Sequence, residues 1–395
     1  MSSKTPSGSI AFAPGDIVGG RFRLERLLGE GGSSLVYVAE VVAPPTQGAI
    51  ACEPVGAPGS LEVGRRVALK LIHPHLVRES QVARRFAREA RILQRLVGDH
   101  LASFLDYGEL PNGQLFMAQE LVEGQSLDQL ARGRPMPPER AMNILLQVCS
   151  ALEVAHDAGV IHRDLKPLNV IVETRDGKDH ARVLDFGMAK ILRGELKHSM
   201  NVLTQQNMVF GTPEYVSPEQ ARGDEIDERS DIYSAGVMLY ELITGTVPFQ
   251  SNTPIATMTA HLVEQPEAPS RRAPEAPIPP ALEGLVMHAL AKRPGERYPG
   301  ARAMAAALRS ALADPSDTNS IHPPAAAPDP GLWDTDLALH MAESLRRTES
   351  QLERPTPPES DPSPPRVSRG LIWFGIGAAL FGVLLGILMS LVGAL

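Results

Sequence analysis

Val160-Ile161-His162-Arg163-Asp164-Leu165-Lys166-Pro167-Leu168-Asn169-Val170-Ile171-Val172 is the stretch on which both fold and chemistry turn. Two apolar runs bracket a loop that carries an acid, a lysine and an amide. Those residue types supply a base (Asp164), a phosphate clamp (Lys166) and a metal ligand (Asn169) close together in one segment. Further on, Val183-Leu184-Asp185-Phe186-Gly187 ends a strand-like run in a second acid. Oxygen ligands from Asn169 and Asp185 suit Mg²⁺, a hard cation that takes few protein ligands and fills its shell with phosphate and water.

Toward the N-terminus, residues 22–28 alternate as a strand and run into Gly29-Glu30-Gly31-Gly32-Ser33-Ser34-Leu35-Val36. Glycines between two strands let backbone amides approach phosphates, because no side chain intervenes. An ordinary flexible turn has the same composition, so this motif gains meaning from its company. Arg66-Val67-Ala68-Leu69-Lys70-Leu71-Ile72 is an apolar strand interrupted by one lysine, which is costly to bury unless it meets an anion. Val82, Phe86, Leu93 and Leu96 mark the inner stripe of a helix, and Glu89 falls inside that stripe. A Lys70–Glu89 pair satisfies both charges and leaves the lysine oriented toward the α- and β-phosphates of ATP.

Composition sets the limits around this centre. The chain has 395 residues, a formal net charge of −8 and a sequence pI near 5.8, so it lacks the basic excess that nucleic-acid binding requires. Its two cysteines, Cys52 and Cys149, can build neither a disulfide framework nor a metal cage, and they fit a reducing compartment. Residues 1–20 read as an N-terminal extension without the apolar core of a signal peptide. Residues 21–313 have a globular mix, interrupted at 43–64 by a Pro-, Gly- and Ala-rich insertion that reads as a long hairpin loop. Residues 314–368 carry 11 prolines and Trp333 as their one aromatic, the composition of a disordered linker. Within it, Trp333, Leu337, Met341 and Leu345 recur every four residues, as in a short amphipathic helix.

Residues 371–395 form 25 positions without a charge, enough for one membrane-spanning helix. Arg366 and Arg369 flank its N-terminal side, which by the positive-inside rule keeps the bulk of the chain in the cytoplasm, anchored C-terminally to the cell membrane. Ala378, Gly382, Gly386 and Ser390 place small residues at every fourth position, a spacing that allows close helix–helix approach and a homodimer.

Taken together the motifs resemble those of the eukaryotic-type protein Ser/Thr kinases, and most nearly their bacterial membrane-anchored members. The resemblance rests on the Gly-rich loop, Val67 to Lys70, Glu89, the HRDLKPLN loop, the DFG at Asp185, Ser217-Pro218-Glu219, Asp231 and Arg297. It implies an α+β, bilobal fold with a small N-lobe of antiparallel sheet plus one helix and a large, mainly helical C-lobe. It also implies Mg²⁺ and ATP as cofactors, proteins as substrates, and signalling as the setting. Asp164 would accept or orient the substrate hydroxyl proton and Lys166 would neutralise the transferring phosphoryl group. Lys70 and Glu89 would complete the catalytic set, with Asn169 and Asp185 on the metal.

The nucleotide would lie against Gly29, Glu30, Gly31, Gly32, Ser33 and Ser34, between Val36 and Ala68. Gln119 would be the gatekeeper, with Glu120 to Val122 receiving adenine through backbone groups. Thr212 would contact the catalytic acid, as in the Ser/Thr subclass. Arg163 would await a phosphate on the activation loop, at Thr204 in preference to Ser199. Glu219 with Arg297, and Asp231 beneath the catalytic loop, would be structural. The sequence departs from the family pattern at Ser34, where a third glycine is usual, at Ser33, at Ser217, where alanine is more frequent, and in the 43–64 insertion. A catalytically silent, membrane-bound scaffold would keep this fold, but that class loses Lys70, Asp164 or Asp185, and all three are here.

Overall fold

The computed structural model describes residues 12–31, 34–44, 61–74, 80–186 and 212–316. The first lobe is built on a six-stranded antiparallel sheet: β1 (Ile17–Val18), β2 (Phe22–Gly31), β3 (Ser34–Val41), β4 (Arg66–Ile72), β5 (Phe104–Glu109) and β6 (Leu115–Glu120), in the order β1-β2-β3-β4-β6-β5. Its middle strands read as apolar runs because both faces are covered, and Val67, Leu69, Leu71, Met117 and Ala118 are fully buried. β2 alternates only as far as Leu24. Register shifts at Leu24/Arg26 and Leu27/Gly29 then twist its far end, with the glycine-rich segment, out of the sheet plane. One helix, α1 (Ser80–Leu93), packs on the sheet through Phe86, whose ring meets Tyr107 of β5 edge-on with centroids 5.8 Å apart. Val82 lies in this helix, whereas Leu96 falls past its end and is buried there all the same.

Residues 1–20 were expected to precede the domain, yet from Phe12 onward they are part of it. Ile17 pairs with Arg23 and Val18 with Phe22, and the Tyr37 hydroxyl donates to the Phe12 carbonyl at 3.1 Å. A two-residue edge strand is too short to leave a periodic signal in sequence. The 43–64 insertion does connect two antiparallel neighbours, β3 and β4. Its base is closed by Gly64 N–H donating to the Val41 carbonyl (2.7 Å) and Val41 N–H to that of Arg65 (2.9 Å).

The second lobe begins with β7 (Gln125–Ser126), α2 (Leu127–Ala131) and α3 (Pro138–Asp157), followed by the hairpin β8 (Val170–Arg175) and β9 (Lys178–Val183). It continues with α4 (Pro218–Arg222), α5 (Arg229–Thr244), α6 (Pro254–Val263), α7 (Pro269–Arg272), α8 (Pro280–Ala289) and α9 (Ala301–Ala313). α5 is apolar almost all round because it is the lobe's central post, with Ile232, Tyr233, Val237, Leu239 and Tyr240 fully buried. Gly236 lets α8 come close: a Cβ there would lie 2.8 Å from that of Ala289. This is the bilobal kinase architecture that the motifs imply.

A buried ion pair ties α4 to the far end of this lobe. Arg297 grips Glu219 with two parallel bonds of 2.8 Å, and its remaining donors reach the carbonyls of Ala291, Lys292 and Arg229. Burial alone would raise the Glu219 carboxyl, but Arg297 and the Ser230 hydroxyl hold it below its ordinary value. A carboxyl depressed in the folded state contributes stability above its unfolded pKa and loses it as pH falls through the folded one. Arg297→Met strands the carboxylate, so chemical denaturation at neutral pH should show a loss of about 3–5 kcal/mol. The gap to wild type should narrow as pH is lowered into the carboxylate range. Coincident unfolding curves at neutral pH would refute this account of the pair.

Candidate active site

The central strand β4 positions the first site residue. Lys70 sits opposite Val36 on β3 and Met117 on β6, and Ala68 opposite Val38 and Gln119, so strand register fixes where the lysine enters the cleft. Lys70 is 8% exposed, and its ammonium needs an anion. The anion is Asp185: Lys70 Nζ donates to Asp185 Oδ2 at 2.8 Å, across 115 positions of sequence. A bond from Lys70 to Glu89, the pair expected from sequence, is not among those of the described residues. Glu89 Oε1 instead accepts from its neighbour Arg88 at 3.3 Å. Both carboxylates were available to the lysine in principle, and the tertiary position of Asp185, just beyond β9, decides the partner. Burial would push the Asp185 carboxyl up, but the charge and hydrogen bond of Lys70, with the charge of Lys166, keep it below its usual range.

The catalytic loop is held from beneath. Asp231, in the first turn of α5 and 1% exposed, accepts from the N–H groups of His162 (2.8 Å) and Arg163 (2.9 Å) and meets His156 Nε2 of α3 at 2.8 Å. This is the tether expected of it. Arg163 takes φ +70° and Asp185 φ +60°, a region that side chains other than glycine seldom enter and that surrounding structure must enforce. Above the tether, Lys166 Nζ donates to Asp164 Oδ2 at 2.9 Å, and Asn169 Nδ2 donates to the Asp164 carbonyl at 2.7 Å. Asn169 lies in the short 3₁₀ turn Pro167–Asn169, and its carbonyl accepts from Leu184 N–H at 2.8 Å. Two bonded groups, Asp164 with Lys166 and Asn169, and Asp185 with Lys70, are thus brought together where Leu184 meets Asn169, one residue before Asp185.

Ser217, the departure from the more frequent alanine, has a local reason. It caps α4: its hydroxyl accepts from Gln220 N–H (3.3 Å) while Gln220 Oε1 accepts from Ser217 N–H (3.0 Å), a capping box of the kind worth about 1 kcal/mol. Gln220 Nε2 then reaches the Arg163 carbonyl at 2.8 Å, so the cap also braces the catalytic loop. Thr212 opens the turn Pro213–Tyr215, and its carbonyl accepts from Tyr215 N–H at 3.2 Å. Its expected bond to Asp164 is not among those of the described residues.

Gln119 lies at the end of β6 and lines a small cavity with Leu93, Leu101, Phe104, Asp185 and Phe186. Glu120 closes β6, and Val122 follows in the irregular segment that joins the lobes. Gly29, Glu30, Gly31, Ser34 and Val36 occupy the β2–β3 hairpin, where Gly29 pairs with Val36 and Gly31 with Ser34. Gly32, Ser33, Ser199, Thr204, the linker from residue 317 onward and the apolar stretch 371–395 lie outside the described residues. Among those that are described, no helix is long and apolar enough to cross a membrane. Sequence reasoning missed Arg182, a buried cation on β9 bound to Glu120, although a charge interrupting an apolar run was the signal that had singled out Lys70.

Comparison with known proteins agrees with this geometry. The protein kinase domain family matches residues 60–308. The serine/threonine-protein kinase pkn3 of Myxococcus xanthus is 42% identical over 298 residues, which is 75% of this chain and 51% of that protein. PknB of Mycolicibacterium smegmatis is 37% identical over 292 residues, 73% of this chain and 42% of its own length. The chain therefore spans about half the length, or less, of these curated relatives. The solved kinase domain of Mycobacterium tuberculosis PknI superposes with a TM-score of 0.56 at 26% identity, covering 77% of this chain and all of that domain. The family match begins at residue 60, but the sheet extends the fold back through β1, β2 and β3. By its matched residues, its two-lobed architecture and its connected acid, amide and lysine groups, this chain belongs to the protein kinase family.

Proposed function

We propose that this chain is a Mg²⁺- and ATP-dependent kinase that transfers the γ-phosphoryl group to Ser and Thr hydroxyls of proteins. One observation carries the reading: Lys70 bonded to Asp185, and Asp164 bonded to Lys166 and Asn169, are brought side by side from both lobes by the Leu184 N–H bond to the Asn169 carbonyl, one residue before Asp185. The donor set fits the nucleotide and its metal. Asn169 uses Nδ2 on Asp164, which leaves Oδ1 as its ligand atom, and Asp185 is kept ionised by the cations around it. These two would hold magnesium, which when bound neutralises charge on the phosphate oxygens. Lys70 binds the α- and β-phosphates. The β2–β3 hairpin covers the phosphates with its backbone amides, and the backbone from Glu120 to Val122 receives adenine. Asp164 orients the acceptor hydroxyl and takes its proton, while Lys166 balances charge on the group in transit. Alignment and charge neutralisation supply most of the acceleration, since phosphoryl transfer asks for little covalent chemistry.

The full chain, given labelled ATP, Mg²⁺ and a generic protein acceptor, should label the acceptor. Asp164→Asn should slow this by about 10²–10⁴, the range for a positioned acid–base group, and chelation of the metal should stop it. Equal labelling by wild type and Asp164→Asn sinks the reading and favours the silent scaffold. Autophosphorylation at Thr204 would supply the phosphate that Arg163 awaits. Phosphopeptide mapping of the active protein should find Thr204 modified, and a bare Thr204 overturns that choice.

The charge-free stretch 371–395 anchors the chain in the cell membrane, with the kinase lobes on the cytoplasmic side. The full chain should sediment with membranes while a chain ending at residue 370 stays in the supernatant, and identical partitioning removes the anchor. The small-residue spacing from Ala378 to Ser390 supports a homodimer through this segment.

A further inference from the structure

A buried guanidinium behind the nucleotide cleft belongs to no role assigned so far. Arg182 lies on β9, three positions before Asp185, and is 7% exposed. Its Nε and Nη2 both donate to the Leu101 carbonyl, at 3.1 and 2.6 Å, and Nη2 also donates to Glu120 Oε2. The same Glu120 oxygen accepts from Ser103 N–H at 3.1 Å, and Glu120 N–H donates to the Ser103 carbonyl at 2.9 Å. Segment 100–103 is in turn laced to β9 by its backbone. Val183 N–H donates to the His100 carbonyl (2.8 Å), and Ala102 N–H donates to that of Val183 (3.0 Å). Arg182 therefore joins the strand that leads to Asp185 with the residue that ends β6 and begins the connection between lobes. The Glu120 carboxyl, which burial alone would raise, is held below its ordinary value by the Ser103 amide and the Arg182 charge.

A planar fork with several donors can hold a carbonyl and a carboxylate at once, which a lysine cannot do with the same geometry. The consequence is positional. The backbone bonds of Val183 fix β9 against segment 100–103 without any help from the guanidinium. What the guanidinium adds to the Ser103 bonds and the strand pairing is a side-chain link from β9 to Glu120, at the point where the adenine-facing backbone begins. We infer that Arg182 is a positioning residue for nucleotide binding, setting the adenine-facing backbone at Glu120 to Val122 in register with Asp185. This inference rests on the proposed reading of that segment as the adenine-receiving edge.

Affinity and turnover separate this role from general support of the fold. In the full chain, Arg182→Met should weaken ATP and ADP binding, measured by calorimetry, about tenfold, on the scale of one charge-assisted hydrogen bond. The KM for ATP should rise in parallel while kcat stays within about twofold, as expected when binding rather than the transition state is affected. Arg182→Lys, which keeps the charge and loses the fork, should fall between wild type and Arg182→Met, and it remains informative if the methionine variant does not fold. Adding Glu120→Gln to Arg182→Met should recover part of the lost affinity, because it removes the stranded carboxylate. Unchanged nucleotide affinity in both Arg182 variants overturns the inference. So does a lowered melting temperature with a matching fall in kcat and no change in affinity, the signature of a purely structural residue. Wild-type protein that binds neither nucleotide would instead count against the kinase reading itself.

Discussion

A carboxylate shut away from water must find its donors inside the protein, and Asp231 finds them in the backbone of the catalytic loop. Its two oxygens take the N–H groups of His162 and Arg163 and the Nε2 of His156. Because Asp231 opens α5, the most deeply buried helix, the loop that carries Asp164 inherits the rigidity of the core. That rigidity is what allows Arg163 and Asp185 to persist in backbone conformations costing on the order of 1–3 kcal/mol each. The second brace, from Gln220 to the Arg163 carbonyl, comes from a helix that is itself pinned by the Glu219–Arg297 pair. Two buried carboxylates therefore decide where a partly exposed one is placed, and the stable part of the lobe sets the geometry of the reactive part.

Between the lobes, charged pairs accompany the backbone bonds that lace segment 100–103 to β9. Lys70 with Asp185, and Glu120 with Arg182, are charged pairs that cross from the sheet of the first lobe to the β8–β9 hairpin of the second. Each sets a long, flexible cation against a carboxylate whose burial is incomplete. Both cations are buried, so either can change partner only where another anion or carbonyl receives it.

The separation between what sequence disclosed and what it withheld follows the reach of each interaction. Residues whose chemistry is unusual for their local pattern stood out at once: an acid and an amide between apolar runs at Asp164 and Asn169, a lysine within a strand at Lys70. The all-round apolar character of α5 announced a buried helix, and the structure gives it that place. Sequence could not say which of two carboxylates would meet Lys70, because Glu89 and Asp185 satisfy the same requirement and only the fold ranks their distances. Arg182 follows Lys178, Asp179 and His180, so its charge stands out less locally than that of Lys70, and its partner Glu120 is marked in sequence by its backbone alone. The edge strand Ile17–Val18 was too short to register as a pattern at all. Ser217 was visible as a departure, but the reason for it needed the position of Gln220.

The closed base of the β3–β4 connection bears on how this chain can change without losing its fold. Two backbone hydrogen bonds at Val41, Gly64 and Arg65 finish the hairpin before the intervening residues begin, so strand register does not depend on what the loop contains. The entropy of closing such a loop grows only with the logarithm of its length, roughly 0.6 kcal/mol for each doubling. Lineages carrying this hairpin are thus free to lengthen, shorten or rewrite the segment between those bonds at almost no thermodynamic expense, which makes it a natural place for new recognition elements to accumulate beside an unaltered catalytic cleft.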